Sequence, residues 1–436
     1  MRALVGVVAT LTALSLSGTA QSPPSVRRVV LVTIDGMRGD YISAADPYHL
    51  KIPTLRALMR DGSVSERTLS VFPTLTGTAH TTLVTGVPAA RHGILGNNRF
   101  DPSVWVWGRD NYDHQPSYSS FSAIKAETLW AAARARQMTT AEINWPQTGD
   151  APIDTRVDVA VGRAVESPLG SITAADVRMA DHYKALVAAE TLVKLKPAFM
   201  AIHFSQTDSV QHALGPGTPE ALVAMEDTDA NLAIVVSAVG RSDAARETTF
   251  VITGDHGFLP LHTELAINLP LLEAGLISKS ADGHPQWQAI VAPNRGLGSL
   301  YVRDGADRQA IVARARDALA AYAKRYSGRF RLLTREELDR WGADADAVLG
   351  VEPMPGYVLD ARLSGPFAQA HSRAAGHGYA PDTPGMETGL ILAGAGIRRG
   401  VRLPETRTLD VAPTIAALLG LSLPRAEGQP IAGALQ

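Results

Sequence analysis

Apolar, β-branched runs alternate with longer segments of helical periodicity along the first 260 residues of the chain. The runs predict buried strands, and the longer segments predict helices that cover them. In chain order the predicted elements are a strand at 28–34, helices at 52–62 and 126–136, a strand at 138–144, a helix at 174–195, a strand at 198–204, a helix at 219–239 and a strand at 248–253. This alternation predicts an α/β fold with a mostly parallel central sheet flanked by helices.

The pattern changes between about 260 and 370, where a helical segment is enclosed by two short strand-like runs. We interpret residues 261–369 as an α+β cap inserted into a catalytic α/β domain formed by 25–260 and 370–436. Supporting segments are the runs Ser299–Arg303 and Phe330–Leu333, the helical Asp307–Tyr326, a returning strand at Glu387–Ala393 and a closing helix from Thr408 to Gly420.

Composition narrows the range of partners. The 436 residues include 43 acidic and 41 basic side chains, for a formal net charge of −2. A chain so nearly neutral lacks the electrostatic footprint of a protein that binds a nucleic-acid polymer or an anionic membrane. The length suits one large domain with an insertion, or two domains.

Residues 1–20 have the features of a signal peptide, with Arg2 followed by an apolar stretch and then small residues. An uncleaved anchor is the alternative, although the apolar run is short for a bilayer span. The sequence contains no cysteine, so neither a disulfide framework nor a lipid-modified cysteine is possible. We expect a periplasmic or secreted protein without a stable membrane anchor after cleavage; the oligomeric state stays open.

Six residues of metal-ligand type come from four remote segments, most of them directly after predicted strands. Because ligands collect beyond the carboxyl ends of parallel strands, we expect these side chains to meet at one edge of the sheet. A single Asp-His-Gly turn is more often structural, but four such segments together favour a metal site. The residues are Asp35, Asp208, His212, Asp255, His256 and His377.

The local spacing of these residues is compatible with a shared metal site. Asp208 and His212 are four residues apart, which places both on one face of a helix. Asp255 and His256 are neighbours, so they must lie in an irregular turn. Carboxylate and imidazole ligands together suit zinc, with manganese or iron as less favoured alternatives.

One further segment makes the pattern specific: Phe72-Pro-Thr-Leu-Thr-Gly-Thr-Ala-His, followed by Arg91-His-Gly-Ile-Leu-Gly-Asn97. The chain resembles the nucleotide pyrophosphatase/phosphodiesterase family (type I phosphodiesterases) of the alkaline phosphatase superfamily from about 28 to 425. That resemblance implies an alkaline-phosphatase-like fold, with Thr76 as the nucleophile and Asn97 as the catalytic residue that binds a phosphoryl oxygen of the substrate.

The resemblance also implies two Zn²⁺ per chain, each with its own ligands. One ion would be held by Asp35, Asp255, His256 and the Thr76 oxygen, and the other by Asp208, His212 and His377. The implied function is that of an exported two-zinc phosphodiesterase or nucleotide pyrophosphatase, which hydrolyses small-molecule phosphate diesters through a phosphothreonine. A threonine hydroxyl needs such a cation to become a nucleophile at neutral pH.

Three residues near the expected nucleophile depart from the family pattern. Leu75 replaces a common lysine, Gly77 stands where an aromatic ring usually packs on the substrate, and Ala79 replaces an asparagine. The metal ligands are unaffected by these changes. The preference for nucleotides is therefore open, as is the identity of the leaving group.

Other functions are compatible with the same fold. A phosphomonoesterase or phosphonate hydrolase is the main alternative. A monoester dianion would bind better if an added cation, such as Arg38, Arg91 or Arg99, reached the site. The simpler interpretation is that these arginines carry surface or supporting charges. A sulfatase is disfavoured because the chain has no cysteine and no Ser-x-Pro-x-Arg motif. A relative of the cofactor-independent phosphoglycerate mutases would be cytosolic and would use a serine nucleophile, which agrees with neither the expected leader nor Thr76. A secreted binding protein with a degenerate site would lack at least one metal-ligating residue, whereas this sequence has a residue of ligand type at each expected position.

Overall fold

The computed structural model describes residues 28–104, 116–118, 120–281 and 284–436. The expected leader at 1–20 lies outside these residues. The strands up to residue 253 are β1 (Arg28–Ile34), β2 (Gly62–Leu69), β3 (Thr140–Ile143), β4 (Thr155–Val157), β5 (Ala164–Ser167), β6 (Gly170–Thr173), β7 (Phe199–Phe204) and β8 (Thr248–Thr253). The later strands are β9 (Leu259–Pro260), β10 (Thr263–Ala266), β11 (Ile277–Lys279), β12 (Pro285–Trp287), β13 (Ala289–Pro293), β14 (Gly298–Val302), β15 (Phe330–Leu333), β16 (Leu349–Pro353), β17 (Tyr357–Asp360), β18 (Ala368–Ala370), β19 (Ala375–Gly376), β20 (Thr388–Gly394), β21 (Val401–Arg402) and β22 (Thr406–Arg407).

The α-helices surround these strands on both sides. They are α1 (Asp40–Ser43), α2 (Pro53–Asp61), α3 (Thr76–Thr85), α4 (Ala89–His92), α5 (Leu129–Ala135), α6 (Val177–Lys194), α7 (Gln206–Leu214), α8 (Pro219–Gly240), α9 (Leu269–Glu273), α10 (Arg308–Arg325), α11 (Arg335–Arg340) and α12 (Val411–Leu419).

The central sheet has the strand order β21-β2-β20-β8-β1-β7-β3-β4, with β22 also paired to β2. Strand β1 runs parallel to both β7 and β8, and β3 runs parallel to β4 and β7. Strand β20 is antiparallel to β2 and to β8. The predicted mostly parallel α/β sheet is confirmed. The reversed direction of β20 and the presence of β2 were not foreseen.

Apolar layers cover both faces of this sheet, as the near-continuous apolar strands require. On β1, Val30 and Val32 pack into one cluster with residues of α2, α6 and α8. Val29 and Leu31 point the other way and pack with residues of α3, α5 and α12. The central strands are therefore buried on both sides, and only their ends are available for chemistry.

Several predicted helix boundaries follow from capping residues. Asp176 and Thr218 accept hydrogen bonds from the first turns of α6 and α8, and Thr128 does the same for α5. Gly420 ends α12 with φ of 65°, a left-handed conformation that glycine adopts without cost. The closing helix is therefore confirmed with the expected glycine stop.

Residues 263–370 contain a second set of elements with an apolar cluster of their own. Strands β13, β14, β16 and β15 form an antiparallel sheet in that order. Leu300 and Val351 of this sheet pack with Leu319 of α10. Across the described ranges, no helix combines the length and apolar character needed to cross a bilayer.

Candidate metal centre

Strands β8, β1 and β7 are adjacent and parallel, so their carboxyl ends meet at one edge of the sheet. Asp35 directly follows β1, and Asp208 lies in the first turn of α7, just after β7. Asp255 and His256 follow β8 in the turn before β9, as the sequence predicted. His377 arrives from the far end of the chain, directly after β19.

The first donor set comprises Asp35, Asp255, His256 and Thr76. The Nε2 atom of His256 lies 3.3 Å from Asp35 Oδ1 and 3.3 Å from Asp255 Oδ2. It also lies 3.3 Å from Thr76 Oγ1. The threonine hydroxyl thus shares its surroundings with two carboxylates and an imidazole.

The second donor set comprises Asp208, His212 and His377, whose ligand atoms lie within 4.8 Å of one another. Asp208 Oδ1 is 3.5 Å from His212 Nε2 and 3.7 Å from His377 Nε2. Asp208 is also within 4.8 Å of Asp35 and His256. Asp208 therefore lies between the two sets, and the structure brings together all the candidate ligands.

Each of the three histidines holds its Nδ1 atom against a backbone carbonyl. When Nδ1–H donates to that carbonyl, Nε2 keeps its lone pair for a metal ion. The pairs are His212 with Ala375 at 2.9 Å, His256 with Gly257 at 3.1 Å, and His377 with Thr74 at 2.9 Å.

The carboxylates fit a cation site because each has an unsatisfied oxygen. Asp35 Oδ1, Asp208 Oδ1 and Asp255 Oδ2 are buried and accept no hydrogen bond from the described residues. Burial raises the pKa of Asp208 to about 8 and that of Asp35 well above its usual range, and the neighbouring carboxylates add to both shifts. A divalent cation would remove this mutual repulsion.

The imidazoles are in the form that binds metals. Burial lowers the pKa of His212 to about 4 and holds the pKa values of His256 and His377 well below the usual range. Neutral imidazole is the ligating form. The donor sets therefore fit divalent metal ions in residue type, orientation and protonation.

Thr76 begins helix α3, directly after the extended Leu75. Gly77 N–H donates to Asn97 Oδ1 at 2.8 Å, which fixes the Asn97 amide beside the threonine. The Nδ2 group of Asn97 remains as a donor for a bound oxygen. The pairing also explains how a residue twenty-one positions along the chain is held beside Thr76.

Two further histidines support the first donor set from behind. His203 Nε2 lies 2.9 Å from Asp35 Oδ2, and its Nδ1 lies 3.1 Å from the Asn144 carbonyl. His80 Nδ1 lies 2.8 Å from the Thr76 carbonyl. The β1–β7 register pairs His203 with Thr33, two residues before Asp35, and a pairing prediction could have found this contact.

The three arginines considered as inward cations all have acidic partners. Their pairs are Arg38 with Asp40 at 2.7 Å, Arg91 with Glu427 at 3.1 Å and Arg99 with Asp101 at 3.9 Å. These contacts agree with surface or supporting charges. The sequence missed Arg373 and Arg295, whose positive charges, after the larger effect of burial, contribute to the low pKa of His212.

The ring of Trp145 packs in the interior. It lies 4.7 Å from that of His80 and 6.0 Å from that of Trp130. Tyr118 accepts a hydrogen bond from the Leu95 backbone. Trp105, Trp107 and Tyr112 lie outside the described residues.

The turn between β13 and β14 reaches the site. A Cβ atom at Gly378, beside His377, would lie 2.7 Å from the Asn294 carbonyl oxygen, and Gly378 has φ of 101°. A Cβ atom at Gly96, beside Asn97, would lie 2.8 Å from Asn294 Oδ1. Both glycines therefore allow a close approach that other residues would obstruct.

This sheet, with carboxylates and imidazoles converging at its carboxyl edge, defines an α/β protein with an alkaline-phosphatase-like fold. The chain belongs to the Type I phosphodiesterase / nucleotide pyrophosphatase family, whose sequence profile matches residues 29–380. The predicted family is thereby confirmed.

The relatives share this fold at modest sequence identity. The chain is 28% identical over 261 residues to human ectonucleotide pyrophosphatase/phosphodiesterase family member 5, covering 59% of the chain and 50% of that protein. It is 22% identical over 436 residues to the bis(5′-adenosyl)-triphosphatase of Xenopus laevis, covering 99% of the chain and 85% of the relative. The solved structure of murine ectonucleotide pyrophosphatase/phosphodiesterase 5 superposes with a TM-score of 0.69 at 19% identity, over 92% of this chain and 97% of that one.

Proposed function

We propose that this protein is a metal-dependent phosphodiesterase and nucleotide pyrophosphatase that acts through a phosphothreonine at Thr76. The observation that carries the proposal is the placement of the Thr76 hydroxyl 3.3 Å from His256 Nε2, within a set of otherwise unsatisfied metal-type donors. A cation bound beside a hydroxyl in that position would lower its pKa and so favour its ionisation at neutral pH.

Two zinc ions would occupy the two donor sets, the first with Asp35, Asp255, His256 and Thr76. Asp208, His212 and His377 would hold the second. When bound, the ions would supply Lewis acidity for the threonine oxygen and for water, and would offset the charge of the carboxylates. Carboxylate and imidazole donors favour zinc over manganese or iron.

The residues of the chain have separate roles in the reaction. The Thr76 oxygen, having lost its proton, bonds to phosphorus while the bond to the leaving oxygen breaks, and the leaving group takes up a proton. Asn97 Nδ2 donates to a non-bridging phosphoryl oxygen while Gly77 N–H holds its Oδ1 in place. Water then cleaves the phosphothreonine and restores the Thr76 hydroxyl.

The substrate we propose is a small phosphate ester, with nucleotides as the first compounds to test. An inactive threonine-to-alanine variant of the murine structural relative was solved in complex with AMP. The Xenopus relative is named for cleavage of a bis(5′-adenosyl) triphosphate. Two divalent ions and three carboxylates leave a net charge near +1 before Thr76 ionises, which suits a phosphodiester monoanion.

Two features outside the site belong to the same proposal. Residues 261–369 would form a cap, because the turn at Asn294 contacts the site from a segment with its own apolar cluster. The protein would be exported to the periplasm or secreted after removal of residues 1–20, where it would meet external phosphate esters.

A substrate panel tests this function. Purified protein is assayed with bis-p-nitrophenyl phosphate, mono-p-nitrophenyl phosphate, phosphonoacetate and a diadenosine polyphosphate. We expect the diester and the dinucleotide to be cleaved in preference to the other two. A higher kcat/KM for the monoester or for phosphonoacetate would instead establish the alternative activity on this scaffold.

Metal analysis provides a second test. Protein purified without chelators should contain about two equivalents of zinc, as the two donor sets require. Protein that hydrolyses the diester with no transition metal bound would contradict the mechanism. Mass spectrometry of enzyme quenched during turnover should find the added phosphoryl mass on the peptide that contains Thr76.

A further inference from the structure

The position after the nucleophile has no side chain, and another residue fills the space beside it. A Cβ atom placed on Gly77 would lie 2.9 Å from Gln147 Nε2 and 3.0 Å from the Gly96 carbonyl oxygen. Gln147 therefore lies against the first turn of α3, beside Thr76 and the Asn97 contact. A larger side chain at position 77 would displace the Gln147 amide.

The Gln147 amide has an unused hydrogen-bonding group. Its Oε1 atom is buried and accepts no hydrogen bond from the described residues. The backbone at Gln147 has φ of 58°, a left-handed conformation that glycine or asparagine adopts more readily. A residue that carries both a strained backbone and an unsatisfied acceptor at a reaction centre points to a functional contact.

We propose that Gln147 is a specificity-determining residue, and this inference rests on the phosphodiesterase function proposed above. Its amide takes the place of a side chain at position 77 and accepts a hydrogen bond from a hydroxyl group of the substrate. The favoured substrates are then phosphodiesters of a hydroxylated alkyl group, such as a polyol, whose binding requires no ring stacked beside Thr76.

The position of Gln147 also indicates which ester group it contacts. In an in-line displacement the leaving oxygen lies opposite the attacking Thr76 oxygen. A side chain beside the nucleophile's own helix turn therefore faces the substituent that stays on phosphorus. Gln147 consequently selects the retained group, and the leaving group is recognised elsewhere.

Three diesters with one leaving group test the inference: glyceryl, propyl and thymidine 5′ esters of p-nitrophenyl phosphate. The glyceryl and propyl compounds differ only in hydroxyl groups, so their kcat/KM ratio reports the hydrogen bond. We expect wild-type protein to favour the glyceryl ester about five- to tenfold, the usual net effect of one such bond. Gln147→Gly should lower that ratio to about one, because the variant no longer offers the acceptor for the glyceryl hydroxyl.

A matched control is available in the same chain. Gln137 is an exposed glutamine with φ of 56° that lies after α5, so Gln137→Gly relieves the same backbone strain without touching the site. It should leave the glyceryl-to-propyl ratio unchanged. Gly77→Ala should also lower the ratio by displacing the amide, and combining it with Gln147→Gly should lower the ratio no further.

The outcomes separate this inference from the function beneath it. If Gln147→Gly keeps the wild-type ratio, or wild-type protein shows no preference for the glyceryl ester, Gln147 is a packing residue and the inference is wrong. A wild-type preference for the thymidine ester over the glyceryl ester would also overturn it. Failure of metal-loaded protein to cleave any of the three esters would overturn the proposed phosphodiesterase function and this inference with it.

Discussion

The two donor sets are built differently, although both contain carboxylate and imidazole ligands. In the first set Asp255 and His256 are fully buried, whereas Asp208 and His212 of the second set are 17% and 21% exposed. Asp35 of the first set is also held from behind by another side chain, His203. The histidines of both sets are held by backbone carbonyls, so the side-chain contact behind Asp35 is what distinguishes the first set.

We infer from this difference that the two donor sets have different roles. The first set is fixed by strand ends and by buried side chains, so it suits the precise positioning of a nucleophile. The second set is carried by the short helix α7 and a late loop, where water and a departing group have access. We expect the first set to tolerate change least, and the predictions below follow that order.

The largest effect should come from Thr76→Ala. Turnover of a diester should fall on the order of 10⁴-fold or more, since removal of a covalent nucleophile leaves only binding and electrostatic assistance. Both metal equivalents should remain, because the carboxylates and imidazoles are intact. Steady-state kinetics and metal analysis of one preparation measure both.

Thr85→Ala is the matched control for that variant. Thr85 is another threonine of α3; it is buried, and its hydroxyl donates to the Thr81 carbonyl away from the donors. It should retain near-normal turnover. Equal losses in the two variants would mean that helix packing, not a nucleophile, had been tested.

Replacing Asn97 with alanine should have the next largest effect. It should lower kcat by on the order of 10² to 10³, as the loss of an oxyanion donor does. Asn97→Asp is the sharper variant, because it keeps an acceptor for Gly77 N–H and replaces the amide donor with a charged carboxylate oxygen. Steady-state kinetics should show comparable losses for both. If Asn97→Asp were as active as wild type, the residue would position Gly77 only.

His203→Gln tests whether side-chain support matters to the first set. Loss of the contact with Asp35 should weaken metal binding about 10- to 100-fold, typical of a partner behind a metal ligand. The measurement is a competitive zinc titration with a fluorescent chelator. One of the two zinc-binding steps should become weaker by that factor, and the other should keep its affinity.

His92→Gln provides the comparison for that titration. Burial lowers the pKa of His92 to about 3, as it does for His203, but His92 bonds to Thr82 rather than to a candidate ligand. Zinc affinity should stay within about threefold of wild type, because no ligand has lost a partner. Equal weakening in both variants would show a general effect of disturbing a buried histidine.

The most remote effect involves Glu142, which accepts the Trp145 N–H at 2.7 Å and so supports the loop whose Asn144 carbonyl holds His203. Burial raises the pKa of Glu142 from 4.5 to about 7. The folded state therefore binds its proton more tightly than the unfolded state. Stability from this group is complete below pH 4.5 and is lost as the pH rises to about 7.

Glu142→Gln should remove that pH dependence. Between pH 5 and 7 the free energy of unfolding of wild type should decline relative to the variant by up to about 1.4 kcal/mol per pH unit. Urea unfolding at several pH values measures the difference. Parallel pH profiles for the two proteins would mean that Glu142 does not titrate in this range.

The convergence of the candidate ligands could be predicted because each segment carries its own signal. Asp35 and Asp255 follow apolar runs that end strands, and parallel strands bring such ends together. The support by His203 could not be predicted in the same way, since it depends on the register of β1 against β7. The contact of Gln147 with Gly77 was missed for a related reason: two loops remote in sequence meet only after the sheet is formed.

The reversed strand β20 has a consequence for how the protein is made. It pairs with β8 and β2 in the interior of the sheet, yet it emerges from the ribosome long after both, at residues 388–394. His377 of the second donor set is also synthesised long after β8 and β2. The sheet and the second donor set therefore cannot be completed until residues 377–394 have been synthesised, and such non-local pairing slows folding. Metal loading should accordingly be a post-translational event, which for an exported chain would take place after translocation.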